Sequence, residues 1–212
     1  MVYEDVPVRR VGVVLFEGFT VLDVYGPVQA FASCRVVQPD GTSRRFFEVV
    51  TIAAQAGLVK AGEGPTTLAD YSFEDAPACD ILLVPGGFGT RAAVNDAGFL
   101  ASLANAAGKA ETVATVCTGS ALLARTGLLD DRPATSNKIA WEWVVQQGPR
   151  VKWERRARWV DDATIITSSG VSAGIDMALA LIQRLNGREM ATLSAKTMEY
   201  IWNEDPANDP FA

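Results

Sequence analysis

The chain has 212 residues, of which 49% are hydrophobic and 21% charged, with a formal net charge of −6 and no histidine. That composition fits one globular domain spanning residues 1–212 with a good core, and the acidic balance argues against broad binding to nucleic acid or an anionic membrane. The missing histidine removes the usual Ser-His-Asp and Cys-His schemes, so a general acid or base must be a carboxylate, Lys, Tyr, Cys or water.

The N-terminal stretch "MVYEDVPVRRVGVVLF" places acids before a short apolar run, which is not the pattern of a secretory leader. No apolar run approaches the roughly 20 residues a membrane span needs. Three widely spaced cysteines, Cys34, Cys79 and Cys117, form no C-x-x-C pair. Neither a disulfide framework nor a metal site is expected, and a reducing, cytoplasmic setting is.

In chain order, "RRVGVVLF" (9–16) reads as a strand of a parallel sheet, because apolar residues run without alternation. "EGFTVLDVYGPVQAFASC" (17–34) begins as a loop and becomes amphipathic from Asp23. Pro27 is tolerable in a first turn, so the helix is expected to start near Tyr25 or Gly26. A second strand covers 44–54, and 59–77 is turn material with room for a short hairpin. "DILLVPGGFGT" (80–90) is a strand entering a glycine-rich loop. A helix over 96–108 has a capping aspartate and a terminal glycine. A strand at 111–117 then runs directly into a helix at 118–129, and a further helix covers 139–148. Residues 150–170 alternate as two or three strands, with a turn expected at Asp161-Asp162. Helices at 172–187 and 188–202 close the pattern. Strands alternating with helices predict an α/β domain with a mostly parallel sheet.

The joint at Cys117 carries the most chemistry. A residue between a strand and a helix lies at the carboxyl edge of the sheet, where open α/β sheets hold ligands. Thr118, Gly119 and Ser120 are small enough for a sharp turn, resembling a nucleophile elbow. The N–H groups and dipole of the following helix are expected to lower the thiol pKa below that of an ordinary cysteine. The competing reading is simple burial of a small apolar side chain, the reading preferred for Cys34 and Cys79.

"VPGGFG" (84–89) brings bare backbone close to a ligand. The N–H groups of Gly86 or Gly87, with that of Thr118, are candidates for an oxyanion or substrate pocket; alone, this loop is a weak signal. Asp23 lies among Val21, Leu22 and Val24, and partial burial would raise its pKa so that it carries a proton. A helix N-cap is the competing role and, on the residues alone, the stronger one. Glu17 is a second carboxylate in the same loop. The cluster Arg150, Lys152, Arg155, Arg156 and Arg158, interleaved with Trp153 and Trp159, has the composition of a nucleic-acid surface. The acidic balance favours an exposed basic hairpin face instead.

Taken together, "LDVYGP", "ILLVPGGFGT", "VATVCTGSALLARTGLLDDRPATSNKIAWEW" and "GVSAGIDMALALI" resemble the ThiJ/PfpI superfamily of the class I glutamine-amidotransferase-like fold, and within it the isocyanide hydratase branch, which also holds the sensor-like domains of AraC-type regulators. The resemblance runs from about Val11 to Tyr200. It implies a flavodoxin-like αβα sandwich, a homodimer, a cysteine nucleophile at Cys117, an acidic partner at Asp23 (Glu17 being the minor alternative) and a functional threonine at Thr118. It implies hydration of a small isocyanide to an N-substituted formamide through a thioimidate, with no metal or organic cofactor.

Glyoxalase- or deglycase-like chemistry on a reactive carbonyl is the neighbouring enzymatic alternative. A cysteine redox or stress sensor is the non-enzymatic one. Two departures stand out. Thr135-Ser136-Asn137-Lys138 replaces a Thr-Thr-His-Trp of many relatives, which weakens transfer of histidine-assisted activities. The chain also stops at "NDPFA", so a DNA-binding helix-turn-helix is not expected.

Overall fold

A computed structural model describes residues 6–38 and 40–212. The acids Glu4 and Asp5, read above as arguing against a leader, lie outside them. The chain builds β1 (Arg9–Val14), α1 (Val21–Ser33), β2 (Arg35–Val37), β3 (Ser43–Arg45), β4 (Phe47–Ala53), β5 (Gly57–Lys60), β6 (Thr66–Ala69), β7 (Tyr71–Ser72) and β8 (Ile81–Val84). It continues through α2 (Thr90–Ala93), α3 (Ala97–Lys109), β9 (Thr112–Thr115), α4 (Gly119–Arg125), β10 (Pro133–Ala134) and α5 (Trp141–Gln147). The last elements are β11 (Lys152–Trp153), β12 (Trp159–Asp162), β13 (Ile165–Ser168), α6 (Ala173–Asn186) and α7 (Arg188–Thr197).

Seven strands form one sheet in the order β12-β13-β9-β8-β1-β4-β7, parallel throughout except for β12 against β13. Every residue of β8, β9 and β13 is buried. That is why these strands read as continuous apolar or small-residue runs: helices cover both faces of the sheet. Helices α1, α6 and α7 pack together as one group, and α2, α3 and α5 gather around α4 as the other. This is the α/β sandwich with a mostly parallel sheet that the pattern predicts. The short antiparallel hairpin expected within 59–77 is β5–β6. No helix among the described residues is long and apolar enough to cross a membrane.

Several boundaries differ from expectation, each for a tertiary reason. Helix α1 starts at Val21, so Pro27 sits inside it rather than in its first turn. Proline there removes the bond to the carbonyl four residues back. Close packing on α6 offsets the loss: a Cβ on Gly26 would lie 2.8 Å from Ile175, and one on Gly174 would lie 3.3 Å from the Pro27 ring. The early start places Asp23 in the first turn of α1.

The run 44–54 breaks at Phe46, which is fully buried and donates its N–H to the Cys34 carbonyl at 3.3 Å. Its first part therefore pairs with β2 and its second joins the main sheet. Strand β1 stops at Val14 instead of continuing to residue 16, and α3 passes through Gly108 to Lys109. The turn in 150–170 falls at Ala163, with φ 55°, not at Asp161-Asp162. Those two aspartates stay in β12, held by Arg184 and Arg132 respectively. Helix α7 ends at Thr197 because the chain beyond it turns to cover Asp176. There Tyr200 Oη and the Asn203 N–H donate to the Asp176 carboxylate, each at 3.0 Å.

Candidate active site

Strand β9 feeds through Val116 into Cys117, which adopts φ 57°, a left-handed conformation uncommon for a residue with a side chain. Such a conformation costs on the order of 1–3 kcal/mol and persists where neighbours over-determine it. Here the Cys117 N–H donates to the Ser169 carbonyl at 3.0 Å, and its own carbonyl accepts from Ser136 Oγ at 2.8 Å. The sharp elbow also needs Gly119, where a Cβ would stand 2.3 Å from the Val84 carbonyl oxygen. Together these constraints turn the sulfur to the floor of a cavity of about 660 Å³.

Asp23 reaches the sulfur from α1. Its side chain is fully buried and hydrogen-bonds Cys117, while Oδ2 accepts the Gly86 N–H at 2.9 Å. Oδ1 has no hydrogen-bond partner. Asp23 is not an N-cap; that position belongs to Thr20. Burial pushes its pKa up to about 7, partly offset by the Gly86 and Cys117 bonds. The upward direction agrees with the sequence reading.

Cys117 corrects that reading. Its thiol is pushed up to about 12, first by burial and then by the Asp23 charge, not lowered. The N–H groups of Val171 and Thr118 and the Asn137 side chain bond the sulfur and pull the other way, but they do not overcome desolvation. Helix α4 has only seven residues, so its dipole is a small counterweight. The Cys117–Asp23 pair therefore holds two protons in acid and one from about pH 7 upward.

The glycine loop also differs from expectation. The Gly86 N–H is engaged by Asp23, and the Gly87 N–H donates to Thr118 Oγ1 at 3.0 Å, so neither amide points at a ligand. Both glycines instead permit close approach. A Cβ on Gly86 would lie 2.5 Å from the Thr118 nitrogen, and one on Gly87 would lie 2.4 Å from the Gly18 carbonyl oxygen. Thr118 has two functions: its amide bonds the sulfur and its hydroxyl ties the elbow to this loop, with Thr90 Oγ1 3.2 Å away.

Two further groups bond the sulfur: Val171, for which the sequence offers no sign, and Asn137, noted there only as standing in place of the relatives' histidine. Val171, with φ 36°, presents its N–H just before α6. Asn137 accepts the Ala140 N–H on Oδ1 at 2.8 Å, which leaves Nδ2 as the donor to Cys117. Gly170 makes room for that amide, since a Cβ there would meet Nδ2 at 2.7 Å. The signal was the tetrapeptide 135–138, where an amide stands in place of the relatives' histidine.

Glu17 lies elsewhere: it is exposed, accepts the Lys60 N–H at 3.2 Å, and lines a separate cavity of about 420 Å³ with Leu15 and Phe99. The basic cluster is exposed at Arg150, Lys152, Arg155 and Arg156 as expected, but it is not a hairpin, since β11 pairs parallel with β10, and Arg158 is buried. Arg158 is buried on Asp176 at 2.6 Å, Arg155 pairs with Glu142 at 3.2 Å, and Arg150 pairs with Asp130. No group of three His, Cys, Asp or Glu side chains among the described residues converges to hold a metal ion.

Comparisons with known proteins agree with this fold. The DJ-1/PfpI family model matches residues 9–184. Isonitrile hydratase of Pseudomonas putida is 33% identical over 191 residues, covering 90% of this chain and 78% of that protein. The transcriptional regulator GbdR of Pseudomonas aeruginosa is 29% identical over 195 residues, covering 91% of this chain but only 51% of the regulator. A ThiJ/PfpI family protein from Pseudomonas syringae superposes with a TM-score of 0.81 at 28% identity, covering 95% of this chain and 80% of that one. Drosophila melanogaster DJ-1beta shares the fold, with a TM-score of 0.75 at 19% identity over 92% of this chain and 100% of its own. With its strand order, its cysteine elbow and a family match across most of its length, the chain belongs to the DJ-1/PfpI family.

Proposed function

We propose that the protein is a cysteine-dependent enzyme of the isocyanide hydratase type. The observation that carries this reading is the juxtaposition of Cys117 with the buried Asp23 carboxyl beside a cavity, where the carboxyl oxygen Oδ1 is left without a hydrogen-bond partner and so open to a proton. In the singly protonated pair, Asp23 takes the thiol proton as the sulfur attacks the terminal carbon of the isocyanide. A C–S bond forms, and the proton passes from Asp23 to that carbon, giving a thioimidate. Water then adds to the thioimidate carbon, the C–S bond breaks, and the thiol regains a proton. The net change is isocyanide plus water to N-substituted formamide. Thr118, Val171 and Asn137 stabilise the thiolate in the attacking state and again as leaving group.

A sensor role fits less well. Cysteine oxidation follows thiolate character and exposure, and this thiol is buried and pushed up to about 12. The same reading places the enzyme in the cytoplasm as a homodimer, for which light scattering should give twice the 22.7 kDa chain mass.

The test is incubation with an aryl isocyanide, following formamide for the wild type, Cys117→Ala and Asp23→Asn. Formamide production that needs both residues is the expected result; wild-type protein that makes none removes the reading. Methylglyoxal run alongside tests carbonyl chemistry. Mass spectrometry after mild peroxide tests the sensor, which Cys117-selective oxidation without any turnover would favour.

A further inference from the structure

The cavity above Cys117 is walled mainly by apolar groups, among them Val21, Leu22, Pro65, Phe88 and Ile139. Its one cationic lining residue is Arg91, in α2. The Arg91 guanidinium lies 4.9 Å from the Phe88 ring centroid and 4.6 Å from that of Trp143. Cation–π attraction to two rings at these distances holds the guanidinium near them while its N–H groups remain able to bond. Those groups have no protein partner: among the described residues Arg91 forms no ion pair and donates no side-chain hydrogen bond. Other arginines near aromatic rings are paired; Arg155, near Trp141, binds Glu142. Glu63 lines the same cavity without reaching Arg91. In a chain of net charge −6, Arg91 sets an exposed cation without an ion pair on the wall of the cavity that also holds Cys117.

We propose that Arg91 receives an anionic group of the substrate, so that the electrophile delivered to Cys117 carries a carboxylate. The planar fork matches a carboxylate with two parallel N–H···O bonds. This rests on the reading of Cys117 as the nucleophile facing the cavity. Within the isocyanide reading, it selects isocyanides whose N-substituent bears a carboxylate over their neutral esters.

The test separates the two claims by using a pair of reagents with the same chemistry and different charge. Iodoacetate and iodoacetamide each form an S–C bond to Cys117 and release iodide, the thiol proton passing to Asp23 or solvent. Mass spectrometry of the Cys117 peptide gives both rates. The ratio of iodoacetate to iodoacetamide rates should fall about tenfold in Arg91→Met, fall less in Arg91→Lys, and fall with ionic strength in the wild type only. An unchanged ratio in Arg91→Met overturns the proposal, even if isocyanides are hydrated. A ratio that depends on Arg91 supports it, even if no isocyanide is turned over. If burial makes alkylation too slow to follow, binding of phenylacetate against phenylacetamide is read from the Trp143 indole NMR signal. Preference for phenylacetate that Arg91→Met abolishes supports the proposal, and equal binding of the two overturns it.

Discussion

Cys34 and Cys117 are both buried thiols, and burial pushes both up to about 12. Their surroundings differ. Cys34 follows α1 at full burial, and desolvation is the cause of its shift. Cys117 faces a carboxyl group, two backbone N–H groups and an amide side chain, and opens on a cavity. The comparison separates two routes to a reactive cysteine. A thiol can be reactive because its pKa is low, or because a proton acceptor and donors to the sulfur stand ready when an electrophile arrives. We propose that Cys117 takes the second route; Cys34 has the surroundings for neither.

The largest expected effect breaks the comparison directly. Cys117→Ala should abolish isocyanide turnover while Cys34→Ala leaves it intact, as formamide assays of the two variants would read; equal loss in both would point to a shared structural role. Next comes Asp23→Asn, which keeps the shape and removes the proton acceptor. We expect kcat to fall by about 10²–10⁴-fold. The same variant should change stability in a defined direction. Because the folded pKa is raised from 3.8 to about 7, the unfolded chain binds fewer protons between those values, so wild-type stability falls as pH rises through that window. At ~1.4 kcal/mol per pKa unit the cost approaches about 4 kcal/mol above pH 7. Denaturant melts of Asp23→Asn should lose most of that slope.

Asn137→Ala sharpens the picture on the donor side. It removes one bond to the thiolate, for a loss of about tenfold in kcat/KM; Asn137→Asp, which sets a carboxylate against the sulfur, should cost more. A histidine-like role would instead be improved by Asn137→His. The smallest effect belongs to Cys34→Ala, a loss of about 1 kcal/mol in stability with unchanged kinetics.

How much of this was legible from sequence follows from the kind of contact involved. The buried strands β8, β9 and β13 were readable because burial on both faces leaves apolar or small-residue runs. The start of α1 was misplaced because Pro27 is excused by packing on α6, a partner nearly 150 residues away in the chain. The elbow at Cys117 and the burial of Asp23 could be inferred from small residues at a strand end and apolar neighbours. The roles of the Gly86 and Gly87 amides could not, since Asp23 and Thr118 engage them across the fold. Nor could Val171 and Asn137 be placed on the sulfur. The thiol's direction was misjudged because the sequence displays a helix start but not the depth at which it is buried.

The central claim is that Cys117 becomes a nucleophile by giving its proton to Asp23, and the pH profile of kcat/KM for isocyanide hydration tests it most directly. The account predicts a rate that rises with pH through about 7, where the pair loses its first proton, then stays level in the accessible alkaline range. In Asp23→Asn that limb disappears. A limb that persists unchanged in Asp23→Asn would contradict the account.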